Sequence, residues 1–343
     1  MARAAALLAA ALPFAAALLP LAAADAVFPE PFTRRLAPGL GLRGSDVTIL
    51  QHLLTRAPAP CALTCDTECG QAGACGCSGV YDDATAASIA CWTNSSVGVF
   101  SQSTAWRVLS HLSSDGYMDD GTPARLTGHK YKILLPVHRN RSIETTATLL
   151  DGNNTKLYTF RVRTHGHDVD ASGLNIGGRP WPDFHDVGCP AGKAAQGCIG
   201  LNEFSSDGAT PTGLSEIDLN SPEDEPKEFG PYPVNRFVRG LRGNAAFVLT
   251  PPCDDQPAAD RAPPHPLRSG ILMHTGAWSN YSSWEPGLPM PNSDGCVHAY
   301  PEAIHTIWRL LVERCGVIVR PNTGGKLPYP YAPQGLVAVY RVD

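Results

Sequence analysis

The residues best placed to do chemistry lie between 270 and 298. A cysteine, Cys296, stands in the run Ser293-Asp294-Gly295-Cys296-Val297-His298, and a histidine, His274, precedes it by twenty-two residues. A thiol attacks a carbonyl when a base takes its proton and backbone N–H groups hold the oxyanion that develops. A cysteine preceded by glycine and held near a histidine meets both needs.

The neighbouring sequence says how these groups are held. Ile271-Leu272-Met273 is a short apolar run that reads as a strand delivering His274 at its end. About twenty residues rich in Gly, Pro, Ser and Asn follow, which is loop chemistry; they include Trp278 and Trp284, which either wall a cleft or staple the loop over it. After the cysteine, Pro301 suits the first position of a helix, and Ile304, Ile307, Trp308 and Leu311 share one face. Gly316 ends that helix, and residues 316–319 read as a buried strand.

The chain has 343 residues, enough for a small domain and a larger one. A net charge of −5, with no basic run longer than Arg34-Arg35, argues against nucleic acid as a partner. Thirty-three Gly and 31 Pro imply many turns and a β-rich architecture. Residues 1–24 have the form of a signal peptide: Arg3, an apolar stretch over 4–21, and Ala22-Ala23-Ala24 as a cleavage site. The mature protein is expected to be secreted, without a membrane anchor. In an oxidising compartment the eleven cysteines read differently from cytosolic ones. Six cluster at 61, 65, 69, 75, 77 and 91 and suggest three disulfides. Of the later five, Cys189 with Cys198 and Cys253 with Cys315 are the expected pairs, leaving Cys296 as the odd thiol. Sequons at Asn94, Asn140, Asn153 and Asn280 mark surface loops of a glycoprotein if they are used.

Along the chain, Ser45 or Asp46 is expected to cap a helix carrying Val47, Leu50 and Leu54 on one face. Two echoing blocks follow, Gly79-Val80-Tyr81-Asp82-Asp83-Ala84-Thr85 and Gly98-Val99-Phe100-Ser101-Gln102-Ser103-Thr104. In each, a threonine is read as opening a helix, over 85–92 and 104–111. With Gly44-x-Asp46-Val47-x-x-Leu50-Gln51-x-x-Leu54, these blocks resemble the three-helix peptidoglycan-binding module found beside many cell-wall enzymes, over residues 36–113. The cysteine-rich insertion after the first helix departs from that module. Its alternative reading is a spacer that only packs.

Residues 114–128 are polar and turn-rich and read as a linker. Beyond it strands dominate: 132–137, 144–150, a hairpin turn at 151–154, 157–162, 214–219, a strand at 245–249, and a last one at 336–340. Residues 164–202 form a long Gly- and Pro-rich insertion. His165-Gly166-His167-Asp168 within it has a metal-like look, but lacking further ligands at identifiable spacing it reads as a solvated loop, so no metal or cofactor is expected.

His274 with Gly276, then Ser293-x-Gly295-Cys296 before an amphipathic helix, resembles the catalytic domain of L,D-transpeptidases, the YkuD-like family. The Asp151-Gly152 hairpin and Thr210-Pro211-Thr212-Gly213 match its landmarks in order, over residues 129–322. The resemblance implies a multidomain α plus mainly β protein, with the helical module followed by a β-rich catalytic domain over 129–343. It implies that Cys296 attacks a peptide-stem carbonyl of peptidoglycan, with His274 as base in a thiolate–imidazolium pair. Thr275 would orient the imidazole through its backbone carbonyl, and the N–H groups of Gly295 and Cys296 would hold the oxyanion. Ser293, Asp294, His298, Trp278 and Trp284 would line the substrate site. Two residues depart from the family's usual pattern, Asp294 where histidine is common and His298 where Arg or Asn is common; His298 can offset the negative charge that Asp294 places near the thiol. An amine acceptor would make the protein a transpeptidase, and water an L,D-carboxypeptidase. A non-catalytic peptidoglycan-binding protein is the reading from another class, and a disulfide at Cys296 would decide for it.

Overall fold

In the computed structural model the described residues are 28, 31–64, 79–114, 116–138, 141, 143–164, 202–204, 208–250, 266–276, 290, 293 and 295–343. The expected signal peptide, Cys65, Cys69, Cys75, Cys77, Cys189, Cys198, Cys253, the 165–168 motif, Trp278, Trp284 and Asp294 lie outside them.

Three helices come first, α1 (Ser45–Leu54), α2 (Asp83–Thr93) and α3 (Gln102–Leu112). Val47, Leu50 and Leu54 form the buried face of α1. Its cap is Gly44, however, because the Asp46 carboxylate turns to Arg34 at 2.8 Å and to the next amide, Val47, at 2.9 Å. The two echoing blocks work as an aromatic anchor followed by a cap. Tyr81 and Phe100 are buried, and the residue after each accepts from a first-turn amide: Asp82 from Thr85 N–H at 2.8 Å, Ser101 from Thr104 N–H at 3.3 Å. Each threonine is thus the third helical residue and not the first, since a short side-chain oxygen reaches the amide three positions ahead. Cys61 and Cys91 form a disulfide tying the segment after α1 to α2.

The remaining strands are β1 (Tyr131–Val137), β2 (Thr145–Asp151), β3 (Lys156–Arg163), β4 (Gly213–Asn220), β5 (Val234–Arg242), β6 (Leu272–His274), β7 (Val297–Ala299) and β8 (Gly335–Arg341). They close into a barrel in the order β1-β2-β3-β7-β6-β5-β4-β8. The β1–β8 and β6–β7 pairs are parallel and the others antiparallel. Ile133, Leu149, Phe160, Ile217, Met273 and Val337 are among the buried side chains of its core. The polar stretch after α3 is strapped to this barrel by Asp119, which receives the fully buried Lys132 ammonium at 3.0 Å. Two short helices, α4 (Pro226–Phe229) and α5 (Gly243–Val248), flank β5, and α6 (Pro301–Cys315) follows β7 and ends at left-handed Gly316.

Two expected strands are not strands. Residues 245–248 belong to α5: Gly243 leaves the strand at φ 67°, and the Ala245 amide donates to the Thr212 carbonyl at 2.8 Å. A short apolar run is buried equally well by either element, so burial alone could not separate them. Residues 317–319 belong to no strand, and Ile318 pairs with a side chain. The Gln334 amide accepts from Ile318 N–H at 2.9 Å and donates to Ile318 O at 2.8 Å, doing the work of a neighbouring strand. Nor is Cys315 tied to a partner: it is a free, half-buried thiol near Asp151 at the end of α6, its pKa pushed up to about 11 by burial first and that carboxylate second.

The helices dock on the barrel through α1. The His52 imidazole stacks on Phe247 of α5, centroids 4.1 Å apart at 10°. Burial foremost, then the neighbouring Arg56, lowers the His52 pKa to about 3. An unfolded chain takes up a proton there near pH 6.5, which the folded chain refuses. Stability from this site is therefore complete above pH 6.5 and falls as the pH drops from 6.5 toward 3. Urea unfolding at pH 7 and pH 5 should show the drop reduced by roughly 2 kcal/mol in His52→Gln. A drop of the same size in the variant would show that His52 does not titrate in this way.

Candidate active site

β6 and β7 run side by side in parallel, with Met273 opposite Val297 and His274 opposite His298. Side chains alternate along a strand, so Met273, Val297 and Ala299 enter the core, while His274 and His298 share the opposite face. Extending the same register puts Cys296 across from Leu272 on that face. Its Sγ accepts from the Leu272 amide at 3.4 Å and donates to the Gly270 carbonyl at 3.8 Å. Cys296 is half-buried and held out of any disulfide. The row continues onto β3, where the buried Arg163 stands opposite His298 and donates to the Met290 carbonyl at 2.5 Å.

The His274 ring lies between Phe229 of α4 and His298, with centroids 5.0 and 4.7 Å away. Its Nδ1 accepts from the Gly276 amide at 3.0 Å, which leaves the Nε2 proton for the Glu228 carbonyl. Burial, and then the adjacent His298, hold its pKa well below the ordinary imidazole value. His274 is therefore neutral at pH 7.

The turn before the thiol is clamped. Gly295 adopts φ +102°, and a Cβ there would fall 1.9 Å from Arg268 Nη2 and 2.8 Å from the Gly208 carbonyl. Thr210 Oγ1 donates to the Gly295 carbonyl at 2.8 Å, and Ser293 Oγ to the Cys296 carbonyl at 2.7 Å. A small depression lies beside Gly270, lined by Arg268, Phe237, Lys326 and Tyr329 among others.

The structure thus brings Cys296, His274, Gly295, Ser293 and His298 together. Ser293 shapes the turn with its hydroxyl. Thr275 is fully buried and follows His274, but the carbonyl that takes the imidazole proton is that of Glu228, brought in by the unforeseen α4. Three residues escaped the sequence reading. Arg268 is an isolated arginine in a Pro-rich stretch, Glu203 lies at the edge of the long insertion, and Arg163 ends a strand of otherwise ordinary alternation; nothing local marks any of them. Among the described residues, no three metal-ligating side chains gather as a metal site requires.

Residues 192–319 match the YkuD family model, the L,D-transpeptidase catalytic domain. The matched span holds both His274 and Cys296 and the turn at 208–212. It begins later than the resemblance over 129–322 suggested, so β1, β2 and β3 lie outside it. Among solved structures, the crystal structure of the L,D-transpeptidase from Xylanimonas cellulosilytica DSM 15894 aligns over 91% of this chain and 100% of its own, at 12% identity and a TM-score of 0.26. That score carries no argument about the fold. No match is found among curated proteins.

Proposed function

We propose that the chain is a secreted, cysteine-dependent L,D-transpeptidase acting on peptidoglycan peptide stems. The observation that carries this reading is the match of 192–319 to the L,D-transpeptidase catalytic domain, over a span in which a thiol and a neutral buried imidazole share one face of a parallel strand pair. Cys296 Sγ attacks the stem carbonyl while its proton passes to His274 Nδ1, whose lone pair the Gly276 amide holds at rest and must release for the transfer. The donors of Gly295 and Cys296 N–H hold the oxyanion, the amide C–N bond breaks, and His274 returns the proton to the departing D-amino acid amine. An amine of a second stem then attacks the thioester, regenerating the thiol and forming the cross-link. Because burial keeps His274 a weak base, its imidazole is neutral at rest and becomes charged only as it takes the proton. The helical module is proposed to bind peptidoglycan, and residues 1–24 to direct secretion, which agrees with the Cys61–Cys91 disulfide.

Intact mass spectrometry after incubation with a tetrapeptide stem tests this. The expected adduct equals the stem less its terminal D-amino acid. Cross-linked dimers among the products identify transfer, and free tripeptide identifies hydrolysis. No adduct, together with recovery of Cys296 in a disulfide, would leave a binding protein.

A further inference from the structure

Glu203 sits where the helices, α5 and the nucleophile turn meet. It is buried, and its carboxylate receives four donors. Arg141 Nη2 reaches Oε1 at 2.7 Å; the Thr212 amide, Thr212 Oγ1 and Asn244 Nδ2 reach Oε2 at 2.8, 2.8 and 2.7 Å. Each partner leads somewhere. Arg141 also donates to the Thr210 carbonyl at 3.1 Å, so Thr210 is fixed from both sides, and its hydroxyl holds the Gly295 carbonyl. In a trans peptide that carbonyl and the Cys296 N–H point in opposite directions. Fixing one therefore aims the other, which is the oxyanion donor. The backbone carbonyl of Glu203 in turn receives Arg268 Nη1 at 3.2 Å, and Arg268 Nη2, bonded to the Gly208 carbonyl at 2.7 Å, presses on Gly295.

On the other side the network enters the helical module. Asn244 Oδ1 accepts from Arg56 Nη2 at 2.5 Å, and Arg56 Nη1 donates to the carbonyls of Leu112 and Ser113 at the end of α3, 3.2 Å each. Asn244 Nδ2 also donates to the Ser113 carbonyl at 2.7 Å. Arg56 on Oδ1 and the two acceptors on Nδ2 thereby hold the Asn244 amide in one orientation. Without Arg56, Asn244 Oδ1 loses this donor and the amide is held only through Nδ2, by Glu203 and the Ser113 carbonyl, so its grip on the Glu203 carboxylate loosens.

We propose that Glu203 is a positioning residue that couples the docking of the helical module to the oxyanion geometry at Gly295 and Cys296. The helices are then part of the reactive machinery and not only a tether. The kinetic half of the test rests on the acyl-transfer reading; the structural half does not.

The test uses the full chain with Arg56→Ala, Thr210→Val, Glu203→Gln and the Arg56→Ala/Thr210→Val pair, each studied well below its own Tm. Hydrogen exchange over 293–298 should quicken about tenfold in Arg56→Ala, although Arg56 belongs to the helical module, and as much in Glu203→Gln. The acylation rate should fall about tenfold in each single variant, with the half-saturating stem concentration changed less than about twofold, and the double variant should be no slower than the slower single one. Unchanged exchange over 293–298 in Arg56→Ala, or strictly additive losses of rate, would overturn the proposal. If the unmutated chain takes no acyl group, the functional reading fails, and the exchange data still decide the coupling.

Discussion

Cys296→Ala is expected to abolish the acyl-enzyme while leaving the fold in place. The thiol is the group whose bond to carbon defines the reaction, and removing the nucleophile from a nucleophile–base unit costs on the order of 10⁶-fold in kcat in a serine protease. The same substitution asks little of stability. The side chain is half-buried, and its contacts include two long sulfur hydrogen bonds, to Leu272 N–H at 3.4 Å and to Gly270 O at 3.8 Å. Their loss should cost about 1 kcal/mol or less. Because nucleophile and base act as a unit, His274→Ala added to Cys296→Ala should slow the reaction no further. Intact mass after incubation with the stem, with a thermal melt alongside, reads both parts. An adduct on the alanine variant would move the nucleophile elsewhere; a collapse of the melt would make Cys296 a structural residue.

How much of this was legible in the sequence follows the range of the interactions involved. The thiol, its glycine and the strand-end histidine were visible because S-x-G-C and His274 are local patterns whose chemistry is written in residue type. The β1–β3 meander was visible because its alternation and the turn at 151–154 are local too. What supports the site was not. Arg268 reaches the Glu203 carbonyl across 65 residues, and Asn244 reaches the Glu203 carboxylate across 41. No spacing rule joins residues so far apart. β7 has three residues, too few for any period to show. The family resemblance gives the orienting role to Thr275, whereas the fold brings the Glu228 carbonyl to the ring from a different segment. Likewise, Gln334 takes the part of a strand beside Ile318, and one side chain cannot announce that in advance.

Gly295→Ala is the second large effect expected, and it differs in kind because it should damage reaction and stability together. The backbone at φ +102° is one that an L side chain rarely adopts, a strain of about 1–3 kcal/mol. The new methyl would also fall 1.9 Å from Arg268 Nη2 and 2.8 Å from the Gly208 carbonyl. A flexible side chain could simply swing aside, but this guanidinium is buried and bonded to the carbonyls of Glu203, Ala209 and Gly208. Moving it breaks those charged hydrogen bonds, each worth about 1.5–3 kcal/mol. If the turn moves instead, the Gly295 carbonyl leaves Thr210 and the Cys296 N–H loses its aim, and loss of one oxyanion donor costs about 10²–10³-fold in rate. Either escape destroys something, so a stability loss of about 3 kcal/mol or a rate loss in that range is expected. Arg268→Ala distinguishes the two routes. It removes the nearer of the two clashes, so Gly295→Ala should destabilise less in that background than in the unmutated chain, the backbone strain and the 2.8 Å approach to the Gly208 carbonyl remaining. Equal losses in the two backgrounds would mean that the arginine does not confine the turn.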